Sequence, residues 1–538
     1  MDPRTKSSNV IWRAKKIDNN TSLEVTSSNV LDIVRTLRAD VARQEQLLGQ
    51  IMAILQQSEL SRHSKVQEPA SFFPVCSLKE VVIDFSRLTI RQVEKPQGKS
   101  QDIVARLKAT AVGQFYVGHL KQIPFLRGLI IWAWRNVYPL YVNHIAPHFR
   151  NKNARRWRPL IKLSEYAKTK GIPTIKVMDA ALVETPPPKV FPAHDQKYLS
   201  SPHDSYNFPP IYVAKISNGI VYGGTNLVMT EDGVICHDLY DFERDYTSEE
   251  LNGRHLINAE KCRMRWLLYD EAPELIPVAA TFVDACASNY AHWLTEVLPR
   301  IAAFCSEEKF KNIPLVINEG LHKNIMESLC LMAGPEREII TLPIGRALQI
   351  DSLYLTSVAG YVPFDRRNNK RPGHSHGIFS PAAFELIRKQ VWSFTEELPK
   401  QAWPEKIYLR RNSGVRKVTN AAELEALLVS QGYAIVEPEK LTFLQQVQLF
   451  RAAKEIVSPT GAALSNAIFA KPGTRITIIM ARHENMIYRY WLNMLAPVQI
   501  NVFYVLGNII ENHHLGIHAD FSVDAKNIDE LIKSWKSK

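Results

Sequence analysis

Short apolar segments alternate with helix-like ones through the C-terminal part of this chain, and that rhythm restricts the fold more than any other feature. KIYLRR (406–411) is followed by the helical AAELEALLVSQG (421–432), then by YAIVEP (433–438) and the helical LTFLQQVQLFRAAK (441–454). EIVSP (455–459), TGAALSNAIFA (460–470) and TRITII (474–479) continue the series. Strands separated by helices of this length imply a parallel sheet with crossover helices. The same rhythm runs from Pro277 through PVAATFVDA, a helix from about Ser288, IPLVIN, a second helix and DSLYLTS. At 538 residues and 46% hydrophobic composition the chain can bury more than one core. The expected fold class is therefore α/β, with two Rossmann-like domains facing a cleft. Ahead of them lie IYVAKI (211–216), GIVYGG (219–224) and LVMTEDGVICHD (227–238), whose Asp232-Gly233 dipeptide signals a hairpin.

This reading divides the chain into an N-terminal extension (1–70), a basic aromatic-rich segment (71–183), a first domain (184–395), a second domain (396–515) and a C-terminal helix (516–538). The proline-rich ETPPPKVFP (184–192) is taken as the linker into the globular part. Within the extension, residues 29–57 place Val34, Val41, Leu48 and Leu55 at one heptad position and Leu37 and Ile51 at the other. That pattern fits either a short coiled coil joining copies of the chain or a helix packed on its own protein. The first residues, Met1 to Asn29, lack the apolar core of a secretory signal, which predicts a cytosolic location. Six dispersed cysteines, without a C-x-x-C pair or a Cys/His cluster, support neither a disulfide framework nor a zinc site, and no metal is expected.

The formal net charge is +12, and most of it is local. Between Asp102 and Glu165 there is no acidic residue, while eleven lysines and arginines fall there, from Arg106 to Lys162, interleaved with aromatic residues such as Phe115, Trp132, Trp134, Tyr141 and Trp157. Pro139 and Pro147 break its longest uncharged run, which is too short to span a bilayer. Three readings fit: an anionic membrane surface, where aromatic residues sit at headgroup level and basic ones are attracted; a solvated or inter-domain helix pair; or single-stranded nucleic acid. The membrane surface is the reading carried forward, and no nucleic acid is expected as a partner.

Two groups of residues have the chemistry of a site. The turn after EIVSP is built of Gly461, Ala462 and Ala463, small residues that let backbone N–H groups at a helix start approach an anion. Arg410, Arg411, Arg416 and Lys417 follow another strand's carboxyl end, where ligands bind in open α/β sheets, and guanidinium forks match phosphate oxygens. A diphosphate suits both. Separately, His292 and Glu296 stand at i and i+4 on a helix capped by Ser288 or Asn289. A carboxylate beside an imidazole suits a general base, although such a pair by itself is more often structural. No G-x-G-x-x-G of a dinucleotide-binding oxidoreductase follows a strand.

NYAHWLTEVLPRI, YLRRNSGVRKVTN and PEKLTFLQQVQLFRAAKEIVSPTGAALSNAIFAKPGTRITII resemble, in this order, the motifs of glycosyltransferase family 61, in its bacterial, capsular-polysaccharide type, over roughly 211–480. The resemblance implies a GT-B fold, inverting transfer from a nucleotide-sugar donor, and no required metal or other cofactor. It maps Asn289, His292 and Glu296 to the first motif, Arg411, Arg416 and Asn420 to the second, and Gly461, Ala462, Leu464 and Asn466 to the third. His292 and Glu296 are then the catalytic pair, while Asn289, Arg411, Arg416, Asn420, Thr460, Gly461, Ala462 and Asn466 bind the donor. The chain departs from the family in carrying Thr460 where many members have His, and Arg410 where Ser is usual. The implied acceptor is a growing surface glycan or lipid-linked saccharide, made at the inner face of the membrane. The competing class of answer is a non-catalytic glycan- or nucleotide-binding subunit of an assembly complex.

Overall fold

A computed structural model describes residues 89–94, 156–199, 205–251, 254–266, 272–363, 376–398, 401–412, 416–483, 488–510 and 518–536. The heptad segment at 29–57, most of the acid-free stretch and residues 364–375 of the basic loop lie outside them.

The C-terminal sheet follows the alternation closely. Strands Lys406–Leu409, Ala434–Val436, Glu455–Pro459, Arg475–Ala481 and Asn501–Ile509 are all parallel, with Ala434–Val436 at one edge, Lys406–Leu409 beside it, and the others following in chain order. This is a doubly wound order whose topological switch point lies between Lys406–Leu409 and Glu455–Pro459. Local chemistry sets the helix starts. Thr442 closes a reciprocal capping box with Gln445 at the head of Phe443–Ala452.

The larger sheet has a parallel centre of Ile339–Leu342, Leu315–Asn318, Glu274–Thr281 and Ala347–Thr356, in that spatial order. Its switch point lies between Glu274–Thr281 and Ala347–Thr356, because the order reverses there. Ala347–Thr356 then pairs antiparallel with Ile211–Tyr222, which leads to the hairpin Val228–Met229 and Val234–Cys236 around the expected Asp232-Gly233 turn.

Four boundaries differ from the sequence reading. IYVAKI and GIVYGG form one strand, Ile211–Tyr222, because Asn218 tolerates a left-handed φ of 54° and lets the chain cross Ser217-Asn218-Gly219 without turning. Arg158–Lys162 and Thr174–Met178, grouped above with the basic segment, are strands of the larger sheet. Lys189–Phe191, within the expected linker, adds a parallel edge strand to the C-terminal sheet beside Asn501–Ile509. The final helix, Ala525–Lys536, buries Ile528, Leu531 and Ile532 in the same core as Tyr408, Leu424 and Leu428, so it belongs to the second sheet's layer.

Helices of the two sheets share one core. One apolar core runs from Trp293, Leu298, Ile301 and Leu329 on the larger sheet's helices to Phe443, Leu444, Val447 and Phe469 on the helices of the other. Polar contacts cross the same seam. Glu327, 6% exposed on helix Lys323–Ala333, accepts a hydrogen bond from Phe443 N (2.8 Å) and a longer one from Leu444 N (3.5 Å). These N–H groups open the helix Phe443–Ala452 and have no partner within it. Glu327→Ala should lower unfolding stability by roughly 1.5–3 kcal/mol, the worth of a hydrogen bond to a charged group, with Glu327→Gln costing less. Because the core is shared, chemical denaturation followed by circular dichroism and by tryptophan fluorescence should give coincident transitions. Separate transitions for the two sheets would contradict a common core.

Candidate active site

The polypeptide leaves strand Glu274–Thr281 through Asp284 and enters a helix whose N-cap is Asn289. Its side chain accepts from Ala291 N at 3.1 Å, so Asn289 is occupied as a cap. Trp293, Leu294, Val297 and Leu298 are fully buried, which fixes the helix face that remains open. On that face His292 Nδ1 lies 2.9 Å from Glu296 Oε1, with side chains 15% and 12% exposed. Burial works against a charged imidazole, but the charge and hydrogen bond of Glu296, with Asp284 behind it, outweigh burial and hold His292 above its ordinary value. Glu296 is itself pushed up, by burial foremost and by Asp284, against the pull of His292 and Arg300. Behind Glu296 a cavity of about 20 Å³ is lined by His237, Tyr240, Asp284, Cys286 and Tyr361, enough for one water. Asp284 and Tyr361 follow the two strands that flank the larger sheet's switch point.

The second group lies at the other switch point. Arg410 and Arg411 follow Lys406–Leu409, and Gly461 follows Glu455–Pro459. Beside Arg410 and Arg411 a pocket of about 270 Å³ is lined by these two, Asn412, Lys417, Glu425 and Pro459. Arg410 is engaged by the carboxylate of Glu425, with a 2.8 Å bond from Nε. Arg411, which lines the same pocket, lies against Gly461, where a Cβ would collide with its Nη1. Glycine leaves room for that approach of the flexible guanidinium; its φ of 177° is open to any residue. Arg416 sits in the left-handed region, at a φ of 58°, and its Nε has no hydrogen-bond partner among the described residues. Burial, then the charge of Arg411, pushes Arg416 down to about 10, against the pull of Tyr490. Two half-buried guanidiniums that repel each other make a site that an anion relieves.

Other expected donor residues are occupied within the protein. Asn466 is fully buried; it accepts from Tyr290 OH at 2.7 Å and donates to Gln446 Oε1 at 2.6 Å, so it joins the two sheets' helices out of a ligand's reach. Asn420 donates to Val523 O at 2.7 Å and accepts from Val523 N at 3.1 Å. Thr460, 7% exposed, accepts from Trp491 Nε1 at 3.2 Å. Ala462 remains exposed at the head of the helical turn Ala462–Phe469. Sequence spacing gave no notice of Tyr490, which interacts electrostatically with both Glu296 and Arg416. Among the described residues no cluster of three His, Cys, Asp or Glu is arranged to hold a metal.

Residues 290–477, which begin in the His292 helix and end in the strand beyond Gly461, match the sequence model of the family described as Glycosyltransferase 61. This region belongs to glycosyltransferase family 61. A search of curated proteins finds no match to the chain. The family assigns a reaction class, glycosyl transfer from an activated donor to an acceptor.

Two measurements check this geometry. Gly461→Ala should displace Arg411 and weaken nucleoside diphosphate binding by roughly 1.5–3 kcal/mol in calorimetry, with the melting temperature little changed. Unchanged affinity would separate Arg411 from the anion site. For the pair, if His292 serves as a base its neutral imidazole is the working form, and kcat/KM should then rise with pH through a value above the ordinary histidine range. Glu296→Gln removes the charge that raises it and leaves burial, so this limb should move to lower pH; a fixed limb would show that His292 is not the titrating group.

Proposed function

We propose that this glycosyltransferase is an inverting enzyme of GT-B type that moves a sugar from a nucleoside diphosphate donor to a saccharide hydroxyl, His292 serving as general base. What supports the reading is the His292–Glu296 pair after one switch-point strand together with the guanidiniums of Arg411 and Arg416 after a switch-point strand of the other sheet, Tyr490 interacting electrostatically with both Glu296 and Arg416. His292 keeps its Nδ1 proton and donates it as a hydrogen bond to Glu296, which leaves Nε2 to accept the proton of the acceptor hydroxyl. The acceptor oxygen then bonds to the anomeric carbon as the bond from that carbon to the diphosphate breaks. One displacement inverts the configuration. The leaving diphosphate carries away the bonding electrons, and its growing charge is met by Arg411, Arg416 and the N–H groups at 461–463.

The acceptor is proposed to be a growing glycan of capsule or lipopolysaccharide type on a lipid carrier, at the inner face of a membrane. Among the described residues no helix is long and apolar enough to cross a bilayer. What supports surface attachment is the acid-free stretch, whose described end exposes Trp157 beneath Arg265, at 5.3 Å, next to the exposed Arg156. Self-association through 29–57 stays part of the proposal.

His292→Ala should lower kcat by about 10²–10⁴ while leaving donor affinity within twofold, measured by nucleoside diphosphate release from a panel of UDP-, GDP- and dTDP-sugars and by calorimetry. Full turnover in a folded variant would remove His292 from the chemistry. Absence of turnover in the wild type, with donor bound, would favour the non-catalytic subunit.

A further inference from the structure

The helix that carries the candidate base is not α-helical throughout. Leu298 N–H bonds to Trp293 O, five residues back, and Trp293–Val297 form a π turn. Pro299 contributes to this, since it has no N–H to offer Thr295 O. That carbonyl instead lies against Gly360, where a Cβ would run into it. A π turn is a local irregularity of the kind that recurs at functional sites, and here both members of the candidate pair lie at or beside it.

Arg300 spans the irregular turn. Its Nε donates to Glu296 O at 3.2 Å and its Nη2 to Asp284 Oδ2 at 3.2 Å, with the two side chains 11% and 9% exposed. Asp284 is anchored in turn. Its Oδ1 accepts from Cys286 N at 2.9 Å, and its own backbone N–H and carbonyl are both bonded, at 2.9 Å, by the side chain of Asn318. One guanidinium thus ties the turn under Glu296 to the carboxyl end of strand Glu274–Thr281. We propose that Arg300 and Asp284 are a positioning pair for the transfer reaction: without touching the reacting atoms, they hold the π turn so that Glu296 meets His292 Nδ1. This rests on the reading of His292 as the base. An ordinary buried ion pair would hold the fold alone; the double attachment of Arg300, to a carboxylate and to the carbonyl of Glu296 itself, is what directs its effect to the site.

The test uses the full chain and the nucleotide sugar that the wild type hydrolyses fastest among UDP-, GDP- and dTDP-sugars. Arg300→Lys keeps the charge but cannot reproduce the fork; Asp284→Asn keeps the shape and removes the anchor's charge. Each should lower kcat by about 10–100-fold, with donor KM within about twofold and a melting temperature close to wild type. The double variant should be little worse than the poorer single one, because both act through one link. Wild-type kcat in folded Arg300→Lys or Asp284→Asn, or losses that multiply in the double variant, would overturn the inference. If His292→Ala is inactive while Arg300→Lys and Asp284→Asn keep full kcat, this inference alone falls; an active His292→Ala removes the reading beneath it.

Discussion

Trp293, Leu294, Val297, Leu298 and Ile301 place one face of a single helix in the apolar core that both sheets share, with none of these side chains exposed. The rest of the site depends on that burial. With those positions committed, His292 and Glu296 have one face left, and it is the open one. Tyr290, on the same helix, bonds to Asn466 of the Gly461 turn, so the carboxylate side and the guanidinium side are registered against each other by a hydrogen bond inside a packed core. Interiors packed at crystal-like density do not slide continuously. Hinging the sheets apart would break the seam of Glu327, Phe443 and Leu444.

The charges on the two sides are opposite, and the proposed reaction uses both. Around the larger sheet's switch point Asp284 and Glu249 are buried acids and Glu296 a largely buried one, with Glu249 pushed up by burial first and by Asp284 second. Around the other, Arg411 is pushed down by burial, and Arg416 by burial and by Arg411. An acceptor proton moves toward the acids, and a diphosphate gains negative charge beside the guanidiniums. Each half of the displacement ends nearer the field that stabilises it. Tyr490, on a third element, feels both Glu296 and Arg416.

Much of this was legible in residue order because it is local. Alternating apolar segments gave the C-terminal strands nearly to the residue, Asn289 was readable as a cap, and His292 with Glu296 followed from helical spacing. What escaped is non-local. Nothing in ETPPPKVFP says that Lys189–Phe191 will complete a sheet whose other strands begin at Lys406. Ser217-Asn218-Gly219 carries turn residues, yet cross-strand pairing with Ile350 and Ser352 holds it extended. Gly461 was legible as a small residue at a turn, but its physical reason, the Arg411 guanidinium, comes from far along the chain. Asn420 and Asn466 stood among the donor residues through the family resemblance, whereas their side chains are engaged within the protein, by Val523 and by Tyr290 and Gln446. Pro299 was visible, but its effect on the turn needed Gly360 across from Thr295.

The central claim is that a nucleoside diphosphate binds at the second switch point, facing the His292–Glu296 pair. A crystal structure of the chain with the nucleoside diphosphate that most raises its melting temperature tests this directly. The account predicts phosphate oxygens within hydrogen-bond distance of Arg411 and Arg416 and of the backbone N–H groups at 461–463. Phosphates bound elsewhere, for example in the groove along helix Pro381–Glu396, with both guanidiniums left as they stand, would contradict it.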